Sequence, residues 1–251
     1  MTQQTTEADK TPTTEREHLI QMVSEMIHRT VVHYGMWWRE VEKQLGREEC
    51  HAIEADVWKY WFGLQMTRLG KVLGFAVTDG MPTALTQKSE SELKALVESL
   101  SVNWLAQDGI WFQGVENRHD LQTAQRANDT AWSCFSPFEA SCIRALRHLP
   151  ENSGLDALEE ALHHRLYSHI NRYSIERPDK STLILHMNDC RVQSARKRKG
   201  LTDYPCKSGG TIEYTTFAEA IDSRITTRCI GCPPDAHPEE WYCAWEFRIE
   251  P

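Results

Sequence analysis

Apolar residues recur at helical spacing from about residue 15 to residue 175. Thr14-x-x-Glu17 has capping-box form and precedes Leu19, Ile20, Met22, Val23 and Met26, which predicts a helix start. Ser89-x-x-Glu92 opens a second such segment, Leu93 to Leu105, with Leu93, Leu96, Val97 and Leu100 on one face. Between them, Thr78 to Lys88 contains Asp79-Gly80 and Pro82 and reads as a loop. Leu158, Leu162, Leu166 and Ile170 recur every four residues and predict one helix from Leu155 to Tyr173. From Ser181 the texture changes: Thr182 to Met187 reads as a strand, and Asp189 to Lys199 as a polar helix stopped by Gly200. A helix from Gly210 to Ile221 follows, flanked by strands at Ser223–Cys229 and Trp241–Ile249. In the last strand Trp241, Cys243, Trp245 and Phe247 share one face, and Tyr242, Ala244 and Glu246 the other.

The helical region repeats itself at an offset of 74 residues. Gly35, Trp37, Val41, Glu42 and Trp58 match Gly109, Trp111, Val115, Glu116 and Trp132, and Trp38 matches Phe112 by type. Rare residues carry the identities, which points to a duplicated helical hairpin over 33–72 and 107–146. The expected fold class is α+β. A disordered tail (1–14) and a helical domain with the internal repeat (15–175) precede a small cysteine-rich α+β domain with a short sheet (180–251).

Composition adds exclusions. At 251 residues, 40% hydrophobic and 25% charged, the chain has ordinary globular content. A net charge of −8 argues against nucleic acid and anionic membranes as partners, and makes the basic run Arg196 to Lys199 a solvated helix face rather than a binding patch. No apolar stretch approaches the ~20 residues of a membrane span, and the polar N-terminus lacks the pattern of a secretory signal. Eight cysteines without such a signal point to a reducing cytoplasm.

Five cysteines fall in the last third, where Cys190, Cys206, Cys229 and Cys232 supply four thiolates for tetrahedral zinc or an iron–sulfur cluster. Cys229-x-x-Cys232 is the one local ligand signal, and Cys243 or His237 can replace one ligand. Cys206, near Arg198, Lys199 and Lys207 in sequence, is alternatively a reactive thiol. Small buried hydrophobes are the plain alternative for these cysteines. Glu42 and Glu116, equivalent in the repeat, are candidate acid/base residues if the two hairpins face each other. Trp37, Trp38, Trp111 and Phe112 would then wall a pocket. Glu48-x-x-His51, Glu116-x-x-His119 and Glu160-x-x-His163 have di-metal spacing, but His119 aligns with Leu45 and Glu48 with Gln122, which breaks the symmetry of such a site. No phosphate loop, nucleophile elbow or zincin helix is present.

Tyr34 to Glu42 and Asp108 to Glu116 resemble the D-G-x-W-F-x-x-V-E segment of a family of uncharacterised bacterial cytosolic proteins. Asn188–Lys197, Tyr204–Ser208 and Cys229–Asp235, with its C-x-x-C-P-P-D segment, resemble the same group. In outline, the C-terminal part also resembles the L-2-amino-thiazoline-4-carboxylate hydrolase family, with Cys190, Cys206, Glu213 and Cys243 at the matched positions. That resemblance implies a ring-opening C–N hydrolase acting on a small sulfur heterocycle, with Glu213 and Cys243 joining Glu42 and Glu116 as catalytic candidates. Cys229 and Cys232 are additions to the hydrolase pattern. The expected function is therefore a cytoplasmic small-molecule enzyme with a cysteine-held zinc or iron–sulfur centre. The alternative is a non-catalytic binding or sensor protein with a structural metal. A small molecule is the expected partner, and a homo-oligomer is left open.

Overall fold

A computed structural model of the chain describes residues 14–250. Except for Thr14, the expected disordered tail lies outside the described residues. The fold is α+β, with long helices followed by a small antiparallel sheet. Two compact units divide at Phe62/Gly63, inside a helix, whereas the texture of the sequence places a boundary near residues 175–180.

In the first unit, helix α1 (Glu15–Leu45) starts at the capping box read from sequence: the Glu17 backbone N–H donates to Thr14 Oγ1 (3.2 Å), and the Thr14 N–H donates to Glu17 Oε2 (2.8 Å). Gly46, at φ +88°, turns the chain into α2 (Arg47–Leu73). The hairpin is held by Tyr34, which donates to Glu54 (2.8 Å) and meets Trp58 and Trp61 edge-on and tilted, and by Trp38 against His51.

The second unit holds the end of α2, then strands β1 (Val77–Thr78) and β2 (Met81–Pro82), paired around Asp79-Gly80, and the short helix α3 (Thr83–Thr86). Next comes a second long hairpin, α4 (Glu90–Arg118) and α5 (Leu121–Arg147). Ser89–Glu92 forms a capping box on α4, and Asp120 caps α5. The repeat is visible in the helix ends: α2 and α5 are displaced by 74 residues at both termini.

Beyond α5 lie α6 (Gly154–His163), a 3-10 turn (Leu166–His169), β3 (Arg172–Asp179), β4 (Thr182–Asp189), α7 (Arg191–Arg198), α8 (Lys207–Ile221), β5 (Ile225–Gly231) and β6 (Cys243–Ile249). The expected helix from Leu155 to Tyr173 is therefore cut after His163, and its last residues begin a strand. The four-residue spacing of Leu166 and Ile170 continues by coincidence. Arg165 is extended (ψ 151°), and the alternation of Tyr173 and Ile175 fits a strand paired with β4. Gly200 (φ +67°) ends α7 as expected, in a Schellman pattern: Gly200 N–H reaches Lys197 and Leu201 N–H reaches Arg196. The basic run thus sits at a helix C-terminus, where the macrodipole favours it, and Arg196 is tied to the Thr202 carbonyl (2.7 Å).

The sheet runs β3-β4-β6-β5, all antiparallel. Leu183 and Leu185 of β4, Trp245 and Phe247 of β6 and Ile225 of β5 form the sheet side of the core. Leu158 and Leu162 of α6, Ile143 of α5 and Phe217 and Ile221 of α8 form the helical side. Each such large side chain contributes about 1.5–3 kcal/mol by burial. Helix α8 approaches the sheet closely because it carries Gly210: a Cβ there would lie 2.8 Å from Trp245 Cζ2. That approach brings the N-terminus of α8 onto the end of the sheet, where the cysteines are.

A buried ion triad and a thiol cluster

Arg165 is 3% exposed and lies between two carboxylates. Its Nε donates to Glu139 of α5 (2.9 Å) and its Nη1 to Glu213 of α8 (2.7 Å), while the Leu166 N–H takes the second Glu139 oxygen (2.8 Å). The guanidinium also lies over Phe217 (4.5 Å), Tyr214 (5.4 Å) and Trp132 (6.0 Å). Chain departure from helical geometry at Arg165 is what lets it reach all of these. Burial works against the guanidinium charge, but Glu139 and Glu213 more than offset it and hold Arg165 firmly charged. For Glu213 the balance falls the other way: burial, reinforced by Glu139 and Asp108, outweighs Arg165 and pushes its carboxyl up to about 7. Asp108 of α4 is also raised by burial. A cavity of about 20 Å³ adjoins the triad, lined by Arg165, Tyr167, Ser168 and Tyr214 among others, enough for one water.

The Glu213 shift has a measurable consequence. Its folded-state value lies above the ordinary 4.5, so the native state keeps a proton that the unfolded chain releases between those limits. Stability from the neutral carboxyl is full below about 4.5 and is lost as pH rises through about 7. Wild-type stability should therefore fall by about 2 kcal/mol relative to Glu213→Gln between roughly pH 5.5 and 8, followed by urea unfolding at each pH. Parallel curves would mean that the carboxyl ionises in the ordinary range.

One helical turn and more N-terminal on α8 lies the thiol cluster. Cys206 precedes α8, Cys232 follows β5, Cys243 opens β6 and Cys190 precedes α7. Lys207 draws the first two together: its N–H donates to Pro233 O (3.0 Å) and its Nζ to Asp235 (2.7 Å). Cys206 Sγ then stands 3.5 Å from Cys232 Sγ and accepts from Gln193 Nε2, also at 3.5 Å. Hydrogen bonding from Cys232, foremost, and from Gln193 lowers the Cys206 thiol against its burial. Cys232 is raised strongly because its proton is held between Cys206 and Cys243. Burial pushes Cys190 up to about 12, against the pull of the Gln193 and Val192 backbone. Gln193, itself buried, clamps the Tyr204 backbone from both sides (2.9 and 2.8 Å) and so fixes the segment leading to Cys206. Among the described residues no group of three or more His, Cys, Asp and Glu side chains is arranged to hold a metal ion as it stands.

The sequence-derived candidates divide accordingly. Glu213 and Cys243 belong to this region, as do Cys190, Cys206 and Cys232. Cys229, on β5 opposite Trp245, is raised by burial and feels Lys207, Asp235, Cys243 and Cys206, so it belongs to the same group of thiols. His237 is engaged at both ring nitrogens, by Asp203 (3.1 Å) and the Pro238 carbonyl (2.8 Å). Phe112 meets Tyr204 edge-on at 5.2 Å, and Glu116 is close enough to raise the Tyr204 hydroxyl, after burial and Cys206. Trp111 faces elsewhere: it is 69% exposed and lines an apolar groove of about 740 Å³ along α4 with Ile110 and Val115. Glu42, Trp37 and Trp38 belong to the first unit, where Glu42 pairs with Arg47 (3.3 Å) and Trp37 is 64% exposed. Sequence reasoning missed Arg165, Glu139, Asp108 and Gln193. A charged residue set within the apolar stripe Leu158–Leu162–Leu166 was the available signal for Arg165.

Fold and site together define an α+β protein with a carboxylate–guanidinium triad buried beside a cluster of thiols. The chain belongs to a family of unknown function, DUF6125, whose model matches residues 86–249, from α3 through β6. No curated protein and no solved structure matches the chain. No helix among the described residues is long and apolar enough to cross a membrane.

Proposed function

We propose that the chain is a cytoplasmic enzyme acting on a small molecule, hydrolysing a C–N bond in a sulfur-containing heterocycle beside a cysteine-held zinc or iron–sulfur centre. The observation that carries this reading is the juxtaposition of Glu213 with the thiols: its charge is felt at Cys206, and its carboxyl titrates near neutrality. A carboxyl poised near 7 both gives and takes protons at the pH of a cell. In the proposed step a water oxygen bonds to the ring carbon, the carbon–nitrogen bond breaks, and the nitrogen leaves as an amine with the proton from Glu213. The water then replaces that proton. Arg165 holds the Glu213 carboxyl in place, and Glu116 and Cys243 are proposed as further contacts to the substrate. Glu42, in the first unit, is the least supported of the four acids and thiols named from sequence.

The test is incubation of the protein with thiazoline carboxylates, with detection of a product one water heavier. Glu213→Gln should lower turnover by about 10²–10⁴, and Glu116→Gln by less. One observation favours the second reading, a non-catalytic binding or sensor protein: the cavity beside the triad admits a water but no heterocycle. Ligand binding by calorimetry without product would establish that reading and remove the hydrolase.

A further inference from the structure

We infer that the chain forms a homodimer through the apolar side of α1, so that two α1–α2 hairpins, one from each copy, close into a four-helix bundle. Leu19, Ile20, Val23, Met26, Ile27 and Val31 share that side at helical spacing, and each is 50% to 66% exposed. Trp37, 64% exposed, extends the same side. These residues present roughly 800 Å² of surface, which is what one partner brings to a standard interface and more than the ~300–600 Å² of the largest apolar patch on an ordinary monomer. No residue of α1 is buried, and from Glu15 to His33 every one is exposed. Contact with α2 falls farther along, at Tyr34 and Trp38.

The first unit holds α1 and α2 up to Phe62 and no third element among its described residues, of which Cys50 is the one fully buried apolar side chain. Two helices share a single seam, and a core needs a second layer. The repeat shows what such a layer is: in the copy made by α4 and α5, α8 packs along α5 and the 3-10 turn against α4. The first unit contains neither, so another chain supplies its second layer. A second copy suits the chemistry of the face. From Leu19 to Trp37 that side carries no charged residue, and homodimer interfaces are the apolar, charge-poor ones. Helix α1 has five acidic and four basic residues, so two of them meet without strong repulsion although the whole chain carries −8. Helices that lie on anionic lipid instead carry a polar face rich in Lys and Arg. An isologous pair buries the same patch on both copies and closes at two.

The experiment is sedimentation equilibrium of the full chain at about 0.1–50 µM, where a two-chain mass is expected at the upper end. Met26→Glu combined with Ile27→Glu puts charge into the contact and should raise the dimer Kd by at least about 100-fold, as should the matching pair of Lys substitutions. Gln21→Glu combined with Ser24→Glu, on the opposite side of α1, should change it by less than about threefold. Mixing the Glu and Lys double variants should restore the two-chain mass, because each α1 then meets opposite charge on the other copy. In case a variant loses helix by circular dichroism, peroxide oxidation of the wild type decides. Met26 should react at least about tenfold more slowly in concentrated than in dilute protein, while Met36, 51% exposed on the other side of α1, keeps its rate. A one-chain mass at about 50 µM overturns the inference. So does a dimer that the Glu variant leaves intact, or Met26 oxidised equally fast at both concentrations. Folded single variants that stay monomeric when mixed overturn the pairing of α1 with α1. One-chain protein that floats with phosphatidylcholine vesicles overturns it too, and makes lipid the occupant. Every one of these results leaves the hydrolysis reading to its own assay.

Discussion

Arg165→Leu is expected to destabilise the protein by about 3–5 kcal/mol, because it leaves Glu139 and Glu213 facing each other in a buried site without their shared cation. That is a large part of the roughly 5–15 kcal/mol by which domains are stable. The triad joins three elements, α5, the segment after α6, and α8, so its loss loosens the packing that presents Cys206 as well. Urea unfolding of the variant measures the cost, and adding Glu139→Gln and Glu213→Gln should recover part of it. A cost below about 1 kcal/mol for Arg165→Leu alone would show that the carboxyls simply take up protons and that the triad organises little.

Trp245→Ala is the second large effect, at about 3–5 kcal/mol, since the ring is fully buried on the central strand. It packs on Gly210 so closely that a methyl there would collide, and Tyr214 lies 4.9 Å from it, so the void cannot readily collapse. Trp245→Phe keeps most of the volume and should cost less than half as much. Chemical denaturation of the two variants measures both costs. Equal costs for Ala and Phe would place the importance of Trp245 in its N–H alone.

These two positions show what the sequence made legible. Caps located the starts of α1 and α4, because the capping boxes Thr14–Glu17 and Ser89–Glu92 are local chemistry, whereas the segment read as Leu93–Leu105 runs on to Arg118. The strands at Thr182 and Cys243 were legible from alternation, as was the stop at Gly200. The strand at Arg172 was hidden because four-residue spacing of leucines ran on past the true helix end; only the partner strand and the ion triad decide that segment. The thiol cluster was legible as a crowding of cysteines, and the choice among them was not. Cys206 and Cys232 meet through Lys207 and Pro233, a contact of backbone groups across 26 residues that no spacing rule expresses. Glu213 was named through a resemblance, but its poise near neutrality comes from burial set against Arg165, with Glu139 and Asp108 adding to burial, and none of these carries a motif.

The sheet order has a consequence for how the chain is made. Strand β6 inserts between β4 and β5, yet it is synthesised after both. A nascent chain that has reached Gly231 therefore holds two strand edges that cannot pair with each other in the native arrangement, and sheet closure waits for residues 243–249. Such late, long-range pairing is slow and leaves edges open to other chains. A chain whose residues up to Cys232 have left the ribosome while 243–249 have not is thus open to aggregation, with all the clustered thiols but Cys243 out and their organising strand still to come.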